Sequence, residues 1–150
     1  MNDTQEHNRQ RLRDLFASQK LAVLSTYDQG QAYASLVGFV VTDDLKFLLF
    51  ATDQRTRKYR NVMRNTHIAL LIDNRSDLDT DFQGTTAVTV TGVAAEVPSS
   101  EREKWLPRYL EKHPHLAEFV NASSCVLIRV NVEWYYIVNH FQNVVALPMI

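Results

Sequence analysis

Along this chain apolar residues come in short runs parted by polar turns, a pattern that points to strands more than to long helices. Residues 21–27 (LAVLSTY), 31–41 (QAYASLVGFVV) and 45–51 (LKFLLFA) read as three strands, separated by the turn compositions Asp-Gln-Gly and Thr-Asp-Asp. Links that short predict an antiparallel meander. Residues 67–73 (HIALLID) predict a fourth strand, apolar enough for burial on both faces. After the polar stretch 74–84 comes a long strand, 85–97, with Gly92 placed like a bulge or a barrel bend. Residues 125–138 supply the closing strand.

Helical spacing interrupts these strands. Leu12, Leu15 and Phe16 predict an amphipathic helix over 5–18. Residues 51–65 leave the third strand and turn into a helix, with Thr56 as N-cap and Tyr59, Val62 and Met63 facing the core. Past Pro98, Ser100 and Glu103 have capping-box spacing, and Trp105, Leu106, Tyr109 and Leu110 form an apolar stripe that Pro107 should kink or restart. Residues 115–121 add a short helical piece. Six or so strands with helices between them predict one domain, mainly β: a small antiparallel barrel with helical decorations.

Charge and composition narrow the chemistry. With 16 basic and 17 acidic residues the chain is nearly neutral, which argues against a general nucleic-acid binder. No apolar run approaches the roughly 20 residues that span a bilayer, and the polar start MNDTQEHNRQRLRD lacks a secretory apolar segment. One cysteine, Cys125, excludes an internal disulfide, suits a reducing compartment and reads as a buried strand residue. A cytoplasmic protein without nucleic-acid or membrane partners is the expectation. The four glycines are scattered, so neither a Rossmann turn nor a P-loop can form. A phosphorylated ligand would have to be gripped by side-chain cations. No metal set is expected, since His113 and His115 lack a carboxylate or cysteine at ligand spacing and read as surface residues.

One stretch stands out against that neutral background. Residues 51–65 (ATDQRTRKYRNVMRN) hold Arg55, Arg57, Lys58, Arg60 and Arg64, with Asp53 alone to offset them. Arg57 and Lys58 fall in the first helical turn, where the helix dipole disfavours an exposed cation by roughly 0.3–1 kcal/mol. Combined with the free first-turn amides, they would make an anion site. A solvated charged face is the competing role, and it suits Arg60 and Arg64, which sit at i, i+4.

The strand pair LAVLSTYDQGQAYASLVGFVV, the third strand ending LLFAT, and the run TRKYRNVMRNTHIALLID resemble the FMN-binding split barrel of the pyridoxamine 5′-phosphate oxidase-like family. The resemblance covers about residues 12–97, and its most specific element is the Thr-Arg-Lys triplet with the strand that follows. It implies a six-stranded antiparallel split β-barrel, FMN as cofactor, and a homodimer with flavin at the interface. It implies that Arg57 and Lys58, entered through Thr56, grip the FMN phosphate. Ser35, Leu36, Val37, Gly38 and Phe39 would lie along the flavin ring, largely through backbone groups. Ala51 and Thr52 would stand near the phosphate and ribityl chain, with Asn61 a further candidate one turn into the helix. The tail could add Phe141 and Gln142 across the interface. Trp134, in the Trp-Tyr-Tyr run, is a candidate contact with core packing as its competing role.

Two departures bear on activity. Authentic pyridoxamine phosphate oxidases carry an Arg-x-His element and a final Arg-Leu-x-Pro, whereas this chain ends YYIVNHFQNVVALPMI, without those arginines. That reaction is therefore not expected. The glutamine that helps hold FMN on the long strand is replaced by Ala87, leaving Gln83 in the preceding loop as its substitute. The resemblance implies a flavin-dependent oxidoreductase acting on a small-molecule redox substrate, with no side chain singled out as catalytic acid or base. The alternatives are a flavin carrier or sensor without turnover, and a relative that binds deazaflavin F420 or haem, the latter through His67 or His140.

Overall fold

The computed structural model describes residues 2–76, 84–139 and 143–150. Gln83, His140, Phe141 and Gln142 lie outside the described residues, and so does most of the polar stretch after the fourth strand. The elements in chain order are α1 (Asp3–Ser18), β1 (Leu21–Asp28), β2 (Gln31–Val41), β3 (Phe47–Asp53), α2 (Arg57–Arg64), β4 (His67–Asp73), β5 (Ala87–Glu96), α3 (Arg102–Lys112), α4 (Ala117–Asn121), β6 (Cys125–Asn139) and β7 (Asn143–Pro148).

The strands run in the order β3-β2-β1-β4-β5-β6-β7, and β6 also pairs with β3, which closes a six-stranded antiparallel barrel. The length of β6 makes this possible. Its first part pairs with β3, from Cys125 opposite Asp53 to Asn131 opposite Phe47, and its second part carries β7. Between the two parts the register with β5 shifts at Thr91/Gly92. A Cβ on Gly92 would lie 2.3 Å from the Asn131 carbonyl oxygen, so the bulge admits only glycine. The extra residue switches which side of β6 faces inward, from Ile128, Val130 and Val132 to Tyr135 and Ile137.

Two apolar layers result. The barrel interior joins Leu24, Phe39, Leu48, Phe50, Leu70 and Val90 with Leu12, Leu15 and Phe16 of α1 and Val62 of α2. A second cluster lies on the outer side of β3 and β6, where Leu49, Ala51, Cys125 and Leu127 pack under Trp105, Tyr109 and Val120 of α3 and α4. Hence β3 is buried on both faces. The burial expected of β4 is not found. Ile68, Leu70 and Ile72 point inward, but Leu71 is 38% exposed on the barrel's outer side. It belongs to a row that crosses the strands by direct pairing: Leu36, Val23, Leu71, Thr89, Tyr136 and Ala146.

Local expectations fail where tertiary contacts decide. β3 begins at Phe47, because Leu45 adopts a left-handed φ of 66°. That strained residue is held by burial and by the Tyr135 hydroxyl, which donates to its carbonyl at 2.6 Å. Met63 is 38% exposed, leaving Val62 as the deepest α2 side chain. No capping box forms at Ser100, since a 3₁₀ turn (Ser99–Glu101) precedes α3 and no side chain caps it. α3 runs through Pro107 unbroken, the missing N–H affecting a single helical bond. The tail from Asn143 to Pro148 is a strand of the chain's own sheet, with Leu147 buried against the core.

Candidate functional site

α2 starts where β3 ends. The Asp53 carbonyl accepts from the Thr56 amide at 3.2 Å and from its hydroxyl at 2.8 Å, and Thr56 Oγ accepts from the Tyr59 amide at 3.3 Å. Thr52 and Thr56 hydroxyls meet at 3.1 Å. These bonds seat the N-cap of α2 at the end of β3.

The five cations of this region then sort themselves. Arg55 folds back onto Asp53 through two side-chain bonds of 2.9 and 2.8 Å, and Ser124 donates to the same carboxylate at 2.9 Å. Arg55's hydrogen bonds, with help from Ser124, hold that carboxyl well below the usual carboxylate range. Arg64 pairs with Asp28 at 3.1 Å. Arg60 reaches the Arg55 carbonyl at 3.4 Å. Of these five, Arg57, Lys58 and Arg60 have no carboxylate partner among the described residues. Arg57 is not idle, since its guanidinium lies 4.7 Å above the Tyr33 ring of β2. The start of α2 is thereby tied to the second strand.

That strand has an open edge. β2 pairs with β1 from Gln31 to Gly38, but with β3 only from Phe39 to Val41. Backbone groups in an antiparallel strand point alternately to the two neighbours. The Phe39 amide bonds to Lys20 on the β1 side at 3.3 Å, so the odd residues Ser35, Val37 and Phe39 turn their backbone toward β1. Ala34, Leu36 and Gly38 turn theirs toward the gap left by β3. The side chains follow the opposite logic. Val37 and Phe39 are buried in the core, and Leu36 is 64% exposed outside. Ser35 shares its face with Tyr33, and its hydroxyl is buried with no hydrogen-bond partner among the described residues.

The structure thus brings together Thr56, Arg57, Lys58, Ala51, Thr52 and the Leu36–Gly38 edge of β2. Asn61 lies inward instead. It is 4% exposed, and its Nδ2 donates to Thr26 Oγ at 3.0 Å. Trp134 is not brought to the cluster within the chain. It stacks on Tyr136 with ring centroids 6.0 Å apart, on β6, with β1, β4 and β5 between it and β2. Gln83, Phe141 and Gln142 fall outside the described residues.

His113 overturns its surface assignment. It is 1% exposed, and its Nε2–H donates to the Phe39 carbonyl at 2.8 Å. Burial pushes its pKa down. Its neighbours from α3 do similar work: the Tyr109 hydroxyl donates to the Gly38 carbonyl at 3.1 Å, and the Lys112 ammonium to the Phe16 carbonyl at 2.8 Å. Spacing alone marked Tyr109 only as core, and no sequence signal singled out Tyr33. His67 lies exposed at the start of β4, and no cluster of three metal-ligating side chains occurs among the described residues. No helix among them is long and apolar enough to cross a membrane.

Fold and site define a split β-barrel with a cation-bearing helix start at its opening. The profile of the pyridoxamine 5′-phosphate oxidase family matches residues 9–139, and the chain belongs to that family. No curated protein sequence matches it. Among solved structures, the chain is similar to a heme-binding protein from Mycobacterium smegmatis (TM-score 0.81, 16% identity, 99% of this chain and 59% of that one). It is also similar to an FAD-binding protein from Mesorhizobium loti (TM-score 0.67, 14% identity, 84% and 90%). General Stress Protein 26 from Bacillus anthracis gives a TM-score of 0.67 at 20% identity, over 95% and 99% of the two chains. The chain spans about three-fifths of the M. smegmatis protein, and at these identities the likeness concerns the fold.

Proposed function

We propose that this chain binds FMN, with the phosphate at the first turn of α2 and the ring along the open edge of β2. The observation that carries this reading is the pair Arg57 and Lys58 in the first turn of α2, which have no carboxylate partner among the described residues, whereas Arg55 and Arg64 are neutralised by Asp53 and Asp28. Two positive side chains and free first-turn amides complement a phosphate dianion. Leu36 and Gly38 offer backbone groups to the polar rim of a planar ring, and the unpartnered Ser35 hydroxyl offers another hydrogen bond. A bound flavin supplies hydride or electron transfer at its N5 atom. The chain's residues hold the phosphate and orient the ring. The alternative, a haem, would need an axial donor: His67 lies exposed at the start of β4, His140 falls outside the described residues, and the buried His113 is committed to the Phe39 carbonyl.

The exposed row through Leu36, Val23 and Leu71 adjoins the open edge and suits a second copy of the chain, which would place the cofactor between subunits. The loaded protein either acts on a small-molecule redox substrate or carries its flavin without turnover. Stopped-flow mixing of the loaded protein with NAD(P)H separates these two.

Charge-assisted contacts contribute roughly 1.5–3 kcal/mol each. Arg57→Ala combined with Lys58→Ala should therefore weaken FMN binding by about two orders of magnitude or more, measured by flavin fluorescence titration. Riboflavin, which has no phosphate, should bind parent and variant equally. A double variant that keeps its FMN affinity places the phosphate elsewhere.

A further inference from the structure

Arg55 and Arg57, two residues apart, are held in opposite ways. Arg55 gives Nε and a terminal nitrogen to the two oxygens of Asp53, at 2.9 and 2.8 Å, so its charge is cancelled and its donor fork is filled. Arg57 is exposed and has no carboxylate or hydrogen-bond partner among the described residues. It is held by its face, with Cζ 4.7 Å from the centre of the Tyr33 ring. A guanidinium donates only in its own plane. A ring against its face takes up none of its N–H groups and leaves its charge intact. A carboxylate in the ring's place would hold the arginine too, but would cancel the charge that an anion needs.

The ring is in turn fixed to the helix that carries Arg57. Tyr33 stands opposite Thr26 in the β1–β2 ladder, and its carbonyl accepts from Thr26 Oγ at 3.3 Å. The same oxygen accepts from Asn61 Nδ2 at 3.0 Å, and Asn61 lies one turn along α2 from Arg57. The contacts close a circuit: Arg57 on Tyr33, Tyr33 on Thr26, Thr26 on Asn61, and Asn61 back to Arg57 through the helix. Thr26 and Asn61 are 2% and 4% exposed, so water does not compete for the link between them. We infer that Tyr33 is a positioning residue that presents the Arg57 guanidinium, edge free and charge uncancelled, to the phosphate of the ligand, and so sets how strongly the site prefers a phosphorylated flavin to an unphosphorylated one. A loose arginine loses rotamer freedom when it grips a phosphate, whereas one already laid on a ring has lost part of it beforehand.

The role in binding rests on the FMN reading above, whereas the ring contact does not. In the protein without cofactor, the Tyr33 ring current should move the Arg57 side-chain protons upfield in the NMR spectrum, and Tyr33→Leu should abolish that shift. Tyr33→Leu should also bind FMN about fivefold more weakly than the parent while binding riboflavin equally. Tyr33→Phe keeps the ring and should keep both the shift and the FMN affinity. Unshifted Arg57 protons in the parent overturn the contact. Three results overturn the positioning role: unchanged FMN affinity in Tyr33→Leu, an equal loss for FMN and riboflavin, or a loss in Tyr33→Phe as large as that in Tyr33→Leu. A parent protein that binds no FMN defeats the FMN reading and the positioning role together, and the Arg57 protons then decide the contact alone. Tyr33→Val, which suits a strand, takes the place of Tyr33→Leu if that variant does not fold.

Discussion

Asn61 gives the sharpest test of how α2 is held. Its side chain is buried on the helix face that also carries Arg57 and Arg64, one turn below the first and one above the second. Nδ2 donates to Thr26 Oγ at 3.0 Å, and Thr26, itself 2% exposed, donates to the Tyr33 carbonyl at 3.3 Å. The same β2 residue whose ring lies under Arg57 is thereby tied to α2 twice. Asn61→Ala removes a buried hydrogen bond and leaves a buried hydroxyl without its donor, a loss of about 1–2 kcal/mol. For a chain of this length about 1 kcal/mol corresponds to roughly 2–4 °C in Tm, so a drop of roughly 2–8 °C is expected in calorimetry. Thr26→Val should cost a similar amount. The decisive quantity is the double variant. If the two residues share one network, its destabilisation falls short of the sum by about 0.5 kcal/mol or more. Additive losses in urea titrations would show that Asn61 and Thr26 do not act through each other. The reasoning for a structural Asn61 would then be refuted.

The acid limb of the stability curve should report His113. Its pKa is depressed chiefly by burial, with Lys112, His115 and Lys20 adding repulsion. The unfolded chain therefore binds more protons below about pH 6.5, and stability falls as pH drops through that window. His113→Gln should flatten the fall between about pH 6.5 and 5 in pH-dependent urea midpoints. An unchanged slope would point to other groups. Leu71→Glu places a charge in the exposed apolar row, and light scattering should show the mass falling from about twice 17.3 kDa to one chain. A parent protein that already runs as one chain would remove the dimer from the proposal.

Strand alternation, turn compositions and helical stripes were local, and they carried most of the fold: the β1–β3 meander, the Gly92 bulge and the N-cap at Thr56 can be read from neighbouring residues alone. So could the anomaly of two cations in a first helical turn, because the helix dipole is a property of the segment itself. What could not be read depended on partners distant in sequence. Leu71 is apolar yet exposed, because nothing in HIALLID tells which side of β4 will be covered. Leu45 accepts a left-handed turn only because Tyr135, ninety residues later, donates to its carbonyl. His113, a Pro-flanked histidine between helices, carries no local mark of burial, because its partner is a carbonyl of β2. Nothing around Asn61 in the sequence tells a ligand-facing side chain from one turned inward, because its partner, Thr26, lies 35 residues earlier. Local physics set which residues form strands and where charge concentrates. The Arg55–Asp53 pair is equally local, two residues apart, whereas only the fold could bring Asp28 of β1 to Arg64 and leave Arg57 over the Tyr33 ring.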